Sequence, residues 1–82
     1  MRATLLRTTK HASKYGKAFH YAFFKGEDGK SYRSCLYEDC GNFKRNGWDN
    51  LIDKQGVMLD GLRLIGKDII DADSVPKIVE VA

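Results

Sequence analysis

The clearest pattern of hydrophobic and polar positions lies in residues 17–24, KAFHYAFF. Side chains of a β-strand alternate between its two faces, so this segment is predicted to be a strand with two different faces. One face carries Phe19, Tyr21 and Phe23, and the other carries Ala18, His20, Ala22 and Phe24. The pattern leaves open which face is core. If the alanine face is buried, the large rings are exposed and available for a functional role. If the rings are buried, other aromatic residues become the candidates for that role.

Strands are also predicted on both sides of this segment. Arg2 to Thr8 is the first strand, and Thr8 to Gly16 is predicted to be a loop because it is polar, basic and ends in glycine. Residues 25–30, KGEDGK, contain Asp28-Gly29, which is a strong hairpin signal between two strand-like segments. Ser31 to Tyr37 is then the returning strand.

The second half of the chain begins with an irregular polar stretch, residues 38–47. Trp48 to Lys54 is predicted to form two helical turns, because Trp48, Leu51 and Ile52 share an i, i+3, i+4 face. Short strands are predicted after it, at residues 57–64 with a bend at Gly61, at residues 68–72 and at residues 77–81.

The order of elements is three strands, a short helix, and two or three strands. This order predicts one mainly β domain over residues 1–82, a small five- to six-stranded barrel like the oligonucleotide-binding (OB) fold, with the helix between strands 3 and 4. An SH3-like barrel is the alternative, since it also has five short strands but needs no helix there. A meander packed on one helix is a third arrangement.

The chain has 82 residues and therefore a small core, which a dimer interface or a ligand would help to stabilise. It contains neither the apolar region of a secretory signal nor an apolar run long enough to span a bilayer. A cytoplasmic location, without membrane binding, is therefore expected, with Cys35 and Cys40 as reduced thiols. Two cysteines and two unclustered histidines do not make a zinc motif, so no metal is expected.

The charges are distributed unevenly along the chain. Residues 1–46 contain ten Lys and Arg against four Asp and Glu, whereas residues 47–82 contain four against seven. No acidic residue precedes Glu27. Such an asymmetry produces a directional field that attracts polyanions, although a solvated basic face without a partner would look the same.

Motifs for catalysis are not apparent. Cys35 and His20 could face each other across the hairpin, but nothing marks an orienting group or an oxyanion site. Asp71 and Asp73 match the first two ligands of a calcium loop, and the pattern then fails at Val75. No glycine-rich phosphate loop is present. The protein is therefore expected to be a binding protein without a cofactor, not an enzyme.

Basic residues alternate with aromatic residues between Lys10 and Arg33. Single-stranded nucleic acid is bound in this way, with cations along the phosphates and rings on which bases stack. The predicted phosphate contacts come from the basic loop and the hairpin: Lys10, Lys14, Lys17, Lys25, Lys30 and Arg33. The predicted stacking residues are Tyr15, Tyr21, Tyr37 and Trp48, of which Tyr21 and Tyr37 are expected to reach solvent through their hydroxyls.

In these features the chain resembles the small OB-fold single-stranded DNA-binding proteins of phages and plasmids. The resemblance rests on size, strand order, the basic loop TTKHASKYGK, the aromatic strand AFHYAFF and the hairpin GEDG. It implies binding of single-stranded nucleic acid, DNA in particular, with little sequence preference. The alternative function is a small protein-interaction module, an inhibitor or adaptor, that docks through an exposed strand edge.

Overall fold

One antiparallel sheet organises residues 1–79, the part of the chain that the computed structural model describes. Its strands are β1 (Ala3–Ala12), β2 (Ala18–Gly26), β3 (Ser31–Tyr37), β4 (Met58–Asp60) and β5 (Lys77–Ile78), in the order β3-β2-β1-β4-β5. A short helix, α1 (Gly41–Arg45), and a 3-10 turn (Trp48–Asn50) lie between β3 and β4. The prediction of a mainly β fold with a short helix after the third strand is confirmed. Of the strand predicted at residues 77–81, the last two residues lie outside the described part.

The hairpin of β1 and β2 is longer than predicted. β1 continues to Ala12, which pairs with Ala18, so the loop is only residues 13–17. The segment after Thr8 was expected to be a loop because it is polar, but its backbone pairs with β2 as far as Ala12. The Asp28-Gly29 hairpin is confirmed: Gly29 has a φ of 81°, and the Asp28 carboxylate accepts a hydrogen bond from the backbone N–H of Lys30 at 3.0 Å.

A β-bulge interrupts β1 at Leu6. Leu5 pairs with Phe24 and Arg7 pairs with Phe23, so Leu6 has no opposite residue on β2. The Leu6 side chain is 46% exposed, whereas Leu5 is buried in the core. Bulges of this kind increase the twist of a strand and redirect the side chains beyond them.

The alanine face of β2 is the face that packs in the core. His20, Ala22 and Phe24 are buried, whereas Tyr21 on the opposite face is 37% exposed. The core around them contains Leu36, Leu59, Leu62 and Ile70 together with Trp48. Trp48 is 1% exposed, packs edge-on against Phe24, and donates its indole N–H to the carbonyl of Ala72 at 2.9 Å. The assignment of Trp48 as a stacking residue was therefore wrong, because neither ring face is open to a base.

The helix lies earlier in the chain than predicted. The i, i+3, i+4 pattern placed it at Trp48–Lys54, but only the 3-10 turn Trp48–Asn50 forms there. Gly47 precedes this turn in a left-handed conformation, with a φ of 85°, which separates it from α1. In α1, Phe43 is buried and stacks on the His20 ring at 5.6 Å, with an angle of 6° between the planes.

The chain after β4 returns to the free edge of β3. β4 pairs with β1 through Ala3 and Leu59, and the backbone then turns at Gly61, which has a φ of 81°. Leu64 bridges Ile70, and Ile69 bridges Arg33 in a parallel arrangement. The N–H of Ile70 donates to the carbonyl of Arg33 at 2.8 Å. The strand predicted at residues 68–72 is thus present as isolated bridges.

The backbone turn at Gly61 leaves little room for a side chain. A Cβ at Gly61 would lie 2.8 Å from the carbonyl oxygen of Val75, whereas a Cβ at Gly16, with nearly the same φ of 80°, would meet nothing within 4 Å. We expect Gly16→Ala to lower the free energy of unfolding by about 1–2 kcal/mol, the cost of a left-handed conformation with a Cβ. Gly61→Ala should cost clearly more in a urea titration, because a steric clash is added. Equal losses would contradict this account of the turn.

Candidate nucleic-acid interface

The outer faces of β1, β2 and β3 form a regular array of side chains. Because the strands are in antiparallel register, each outward residue of β2 has an outward neighbour on both sides. Three rows result, which together we call the aromatic face: His11, Phe19 and Tyr37; Thr9, Tyr21 and Cys35; Arg7, Phe23 and Arg33.

Aromatic rings dominate the first two rows and contact one another. The Phe19 ring centroid lies 5.4 Å from that of His11, 5.3 Å from that of Tyr21 and 5.2 Å from that of Tyr37. Tyr21 also lies 5.1 Å from His11 and 6.5 Å from Phe23. Tyr21 and Tyr37 remain 37% and 38% exposed. A contiguous cluster of rings on the solvent side of a sheet is typical of a binding surface.

Cationic side chains surround the third row. The Arg7 guanidinium lies 4.9 Å from the centroid of the Phe23 ring, and Arg33 is on the other side of Phe23 in register. Lys25 follows Phe23 on the same face of β2. Within residues 1–79, no acidic side chain forms an ion pair with any of these three cations. Their charge is therefore available to a phosphate.

The cations of the 13–17 loop and its flank are in a different electrostatic environment. Lys10 pairs with Glu38 at 3.9 Å, and Lys17 pairs with Asp39 at 3.3 Å. The Lys14 ammonium lies 5.2 Å from the centroid of the Tyr15 ring, which is 79% exposed. Lys30 is exposed in the turn between β2 and β3. The predicted phosphate contacts thus fall at both ends of the sheet, and those of the loop end are partly neutralised.

On the inner side of β2, His20 is buried and hydrogen-bonds through Nε2 to Glu38 at 2.8 Å. This hydrogen bond, together with the charge of Lys10, holds the pKa of the Glu38 carboxyl below its usual range. Cys35 lies on the outer side of β3, on the aromatic face, so the sheet separates it from His20. Within residues 1–79, no three His, Cys, Asp or Glu side chains cluster as they would around a metal ion.

Six members of the aromatic face were not among the residues predicted for the site: Arg7, Thr9, His11, Phe19, Phe23 and Cys35. The period-two pattern already put Phe19 and Phe23 beside Tyr21, and only the choice of buried face was open. Arg7 lies within the predicted first strand, and only the bulge at Leu6 puts it on this face, whereas Thr9 and His11 also required β1 to extend beyond Thr8. Of the predicted stacking residues, Tyr21 and Tyr37 join the aromatic face and Tyr15 lies beyond its end.

Comparison of the chain with protein-family models, with curated proteins and with solved structures finds no match. Among residues 1–79, no helix has the length and apolar character needed to cross a membrane.

The two thiols should differ in reactivity. Cys40 is exposed and Cys35 is half-buried, and burial raises the pKa of the Cys35 thiol, which leaves less thiolate near neutral pH. We expect iodoacetamide to modify Cys40 first in the folded protein and both residues at similar rates in urea, as read by mass spectrometry. Cys40→Ser should remove the fast phase, and Cys35→Ser should keep it. A fast phase that survives Cys40→Ser would contradict the assignment.

Proposed function

We propose that the protein binds single-stranded nucleic acid, DNA in particular, across the aromatic face with little sequence preference. The observation that carries this proposal is the cluster of half-exposed rings beside cations that have no acidic partner among the described residues. Bases of any sequence stack on aromatic rings, because every base has a π face, and nearby cations hold the phosphates. The site residues are Phe19, Tyr21 and Tyr37 for stacking, and Arg7, Lys25 and Arg33 for phosphate.

The sheet is proposed to belong to an OB-like barrel. A barrel needs hydrogen bonds between the two sides of a sheet, so that no edge remains open. The segment after β4 supports such a closure, because Leu64 bridges Ile70 and the N–H of Ile70 donates to Arg33 of β3. In OB folds the face of strands 2 and 3 binds oligonucleotides, and the rings of this chain lie on that face of β2 and β3.

The alternative is a protein-interaction module that docks through a strand edge. The edge of β3 is occupied at Arg33 by residues 68–70, and β5 has only two residues, Lys77 and Ile78. An open edge remains at β1 beyond Leu5, where the side away from β2 has no backbone partner among residues 1–79, and a partner strand would add there. Binding that is insensitive to salt would favour this alternative, because nucleic-acid binding releases counterions and weakens as salt rises.

Stacking is tested at Tyr21, the central ring of the aromatic face. Tyr21→Leu should weaken binding of a fluorescent oligothymidine by on the order of 1–3 kcal/mol, because leucine keeps apolar bulk but offers no ring. Tyr21→Phe is the matched control and should bind like the parent protein. Anisotropy titrations measure both, and the emission of the buried Trp48 verifies that each variant is folded. Equal affinities of the two variants would argue against stacking at this position.

Phosphate binding is tested at Lys25 and Arg33. The double variant Lys25→Gln, Arg33→Gln should flatten the log–log salt dependence of binding by about 0.7 for each phosphate of a single strand that is no longer neutralised. The double variant Lys54→Gln, Lys77→Gln removes the same net charge from exposed positions off the aromatic face and should leave the slope nearly unchanged. If both pairs reduce affinity and slope equally, the basic residues act only through net charge. If the folded parent does not bind oligonucleotide at low salt, the proposed function is wrong.

A further inference from the structure

An open groove of about 560 Å³ lies at the end of the aromatic face, beside the first row. Its walls come from the 13–17 loop and from the turn that follows β3, and its lining includes Lys14, Tyr15, Lys17, Tyr37 and Asp39. Tyr37 belongs both to the groove and to the aromatic face. A single nucleic-acid strand that follows the first row of the face would therefore reach the groove next.

Both walls of the groove are ordered by hydrogen bonds. The N–H of Gly16 donates to the carbonyl of Ser13 at 2.9 Å, and the hydroxyl of Ser13 accepts the N–H of Lys17 at 3.1 Å. The N–H of Cys40 likewise donates to the carbonyl of Tyr37 at 3.2 Å. Tyr15 lies in the 13–17 loop and is 79% exposed, so its ring is not part of the core. The groove therefore carries a tyrosine from each wall.

Asp39 places a negative charge at the end of a surface that otherwise attracts phosphate. Its carboxylate pairs with Lys17 at 3.3 Å across the groove, and the two side chains are 51% and 61% exposed. An ion pair this exposed contributes little to stability. A carboxylate in this position repels phosphates, but it accepts hydrogen bonds from the amino and imino groups of a base.

We propose that the groove holds one base of the bound strand and selects guanine, with Asp39 as the specificity residue. This inference rests on the proposed function and adds a base preference at one position. Guanine presents two neighbouring donors, N1–H and the N2 amino group, which match the two oxygens of a carboxylate. The matching edge of thymine has one donor between two carbonyl oxygens, which the carboxylate repels. Tyr15 and Tyr37 supply ring surface, and Lys14 supplies a cation for the adjoining phosphate.

The experiment compares a fluorescent oligothymidine with the same strand carrying one guanine, placed in turn at each position. The parent protein should bind the best-placed guanine strand about tenfold more tightly, within the range of a good bidentate contact to a base. Hypoxanthine, which lacks the N2 amino group, should give an intermediate gain. Adenine or cytosine at the same position should give a smaller gain, because each presents only one amino group there.

Asp39→Asn should reduce the guanine preference, measured as the ratio of the affinities for the two strands, towards one. Asp53→Asn is the matched control, because it makes the same charge change at another exposed position, and it should keep the preference. If the parent binds both strands equally, or if Asp39→Asn keeps the preference, the assignment of the groove is overturned while the proposed function stands. If the parent binds neither strand, the proposed function itself fails.

Discussion

The packing of Trp48 against Phe24 determines which side of the sheet meets water. Phe24 lies on the face of β2 that also carries Ala22 and His20, and adjacent residues of a strand must point in opposite directions. Once this face is buried, Phe19, Tyr21 and Phe23 have no access to the core. The indole is in turn fixed by its hydrogen bond to Ala72, from a segment that pairs with β3. The exposed rings are thus a consequence of how the opposite face is filled.

Local signals predicted most of the strands, and distant contacts account for what they missed. The alternation in residues 17–24 and the Asp28-Gly29 turn are local, and both were predicted. The choice of buried face depends on Trp48 and Phe43, more than 18 residues away in the chain, so the sequence pattern alone left it open. The helix was misplaced for a similar reason: Trp48 is buried because it packs on β2, not because it lies on one face of a longer helix.

The charge distribution was also only partly predictable. The sequence shows a basic first half, but not which cations are neutralised by neighbours. Glu38 and Asp39 follow β3 directly and meet Lys10 and Lys17 of the neighbouring hairpin, so the loop end is close to balanced. Arg7 and Arg33, on either side of Phe23, keep their charge for a ligand. The positive charge that is not neutralised therefore lies at the end of the surface opposite the lysine-rich loop, although the sequence drew attention to that loop.

The bulge at Leu6 sets the phase of the first strand. Ala3 and Leu5 point inward and Arg7 and His11 belong to the outer face, although all four are at odd positions that an uninterrupted strand would place together. Loss of the unpaired Leu6 would shorten β1 but leave every other side chain on its present side. Loss or gain of one residue beyond it, without a compensating bulge, would exchange the two sides of the distal half. Position 6 is thus where this strand can change length by one residue and still present the same surface.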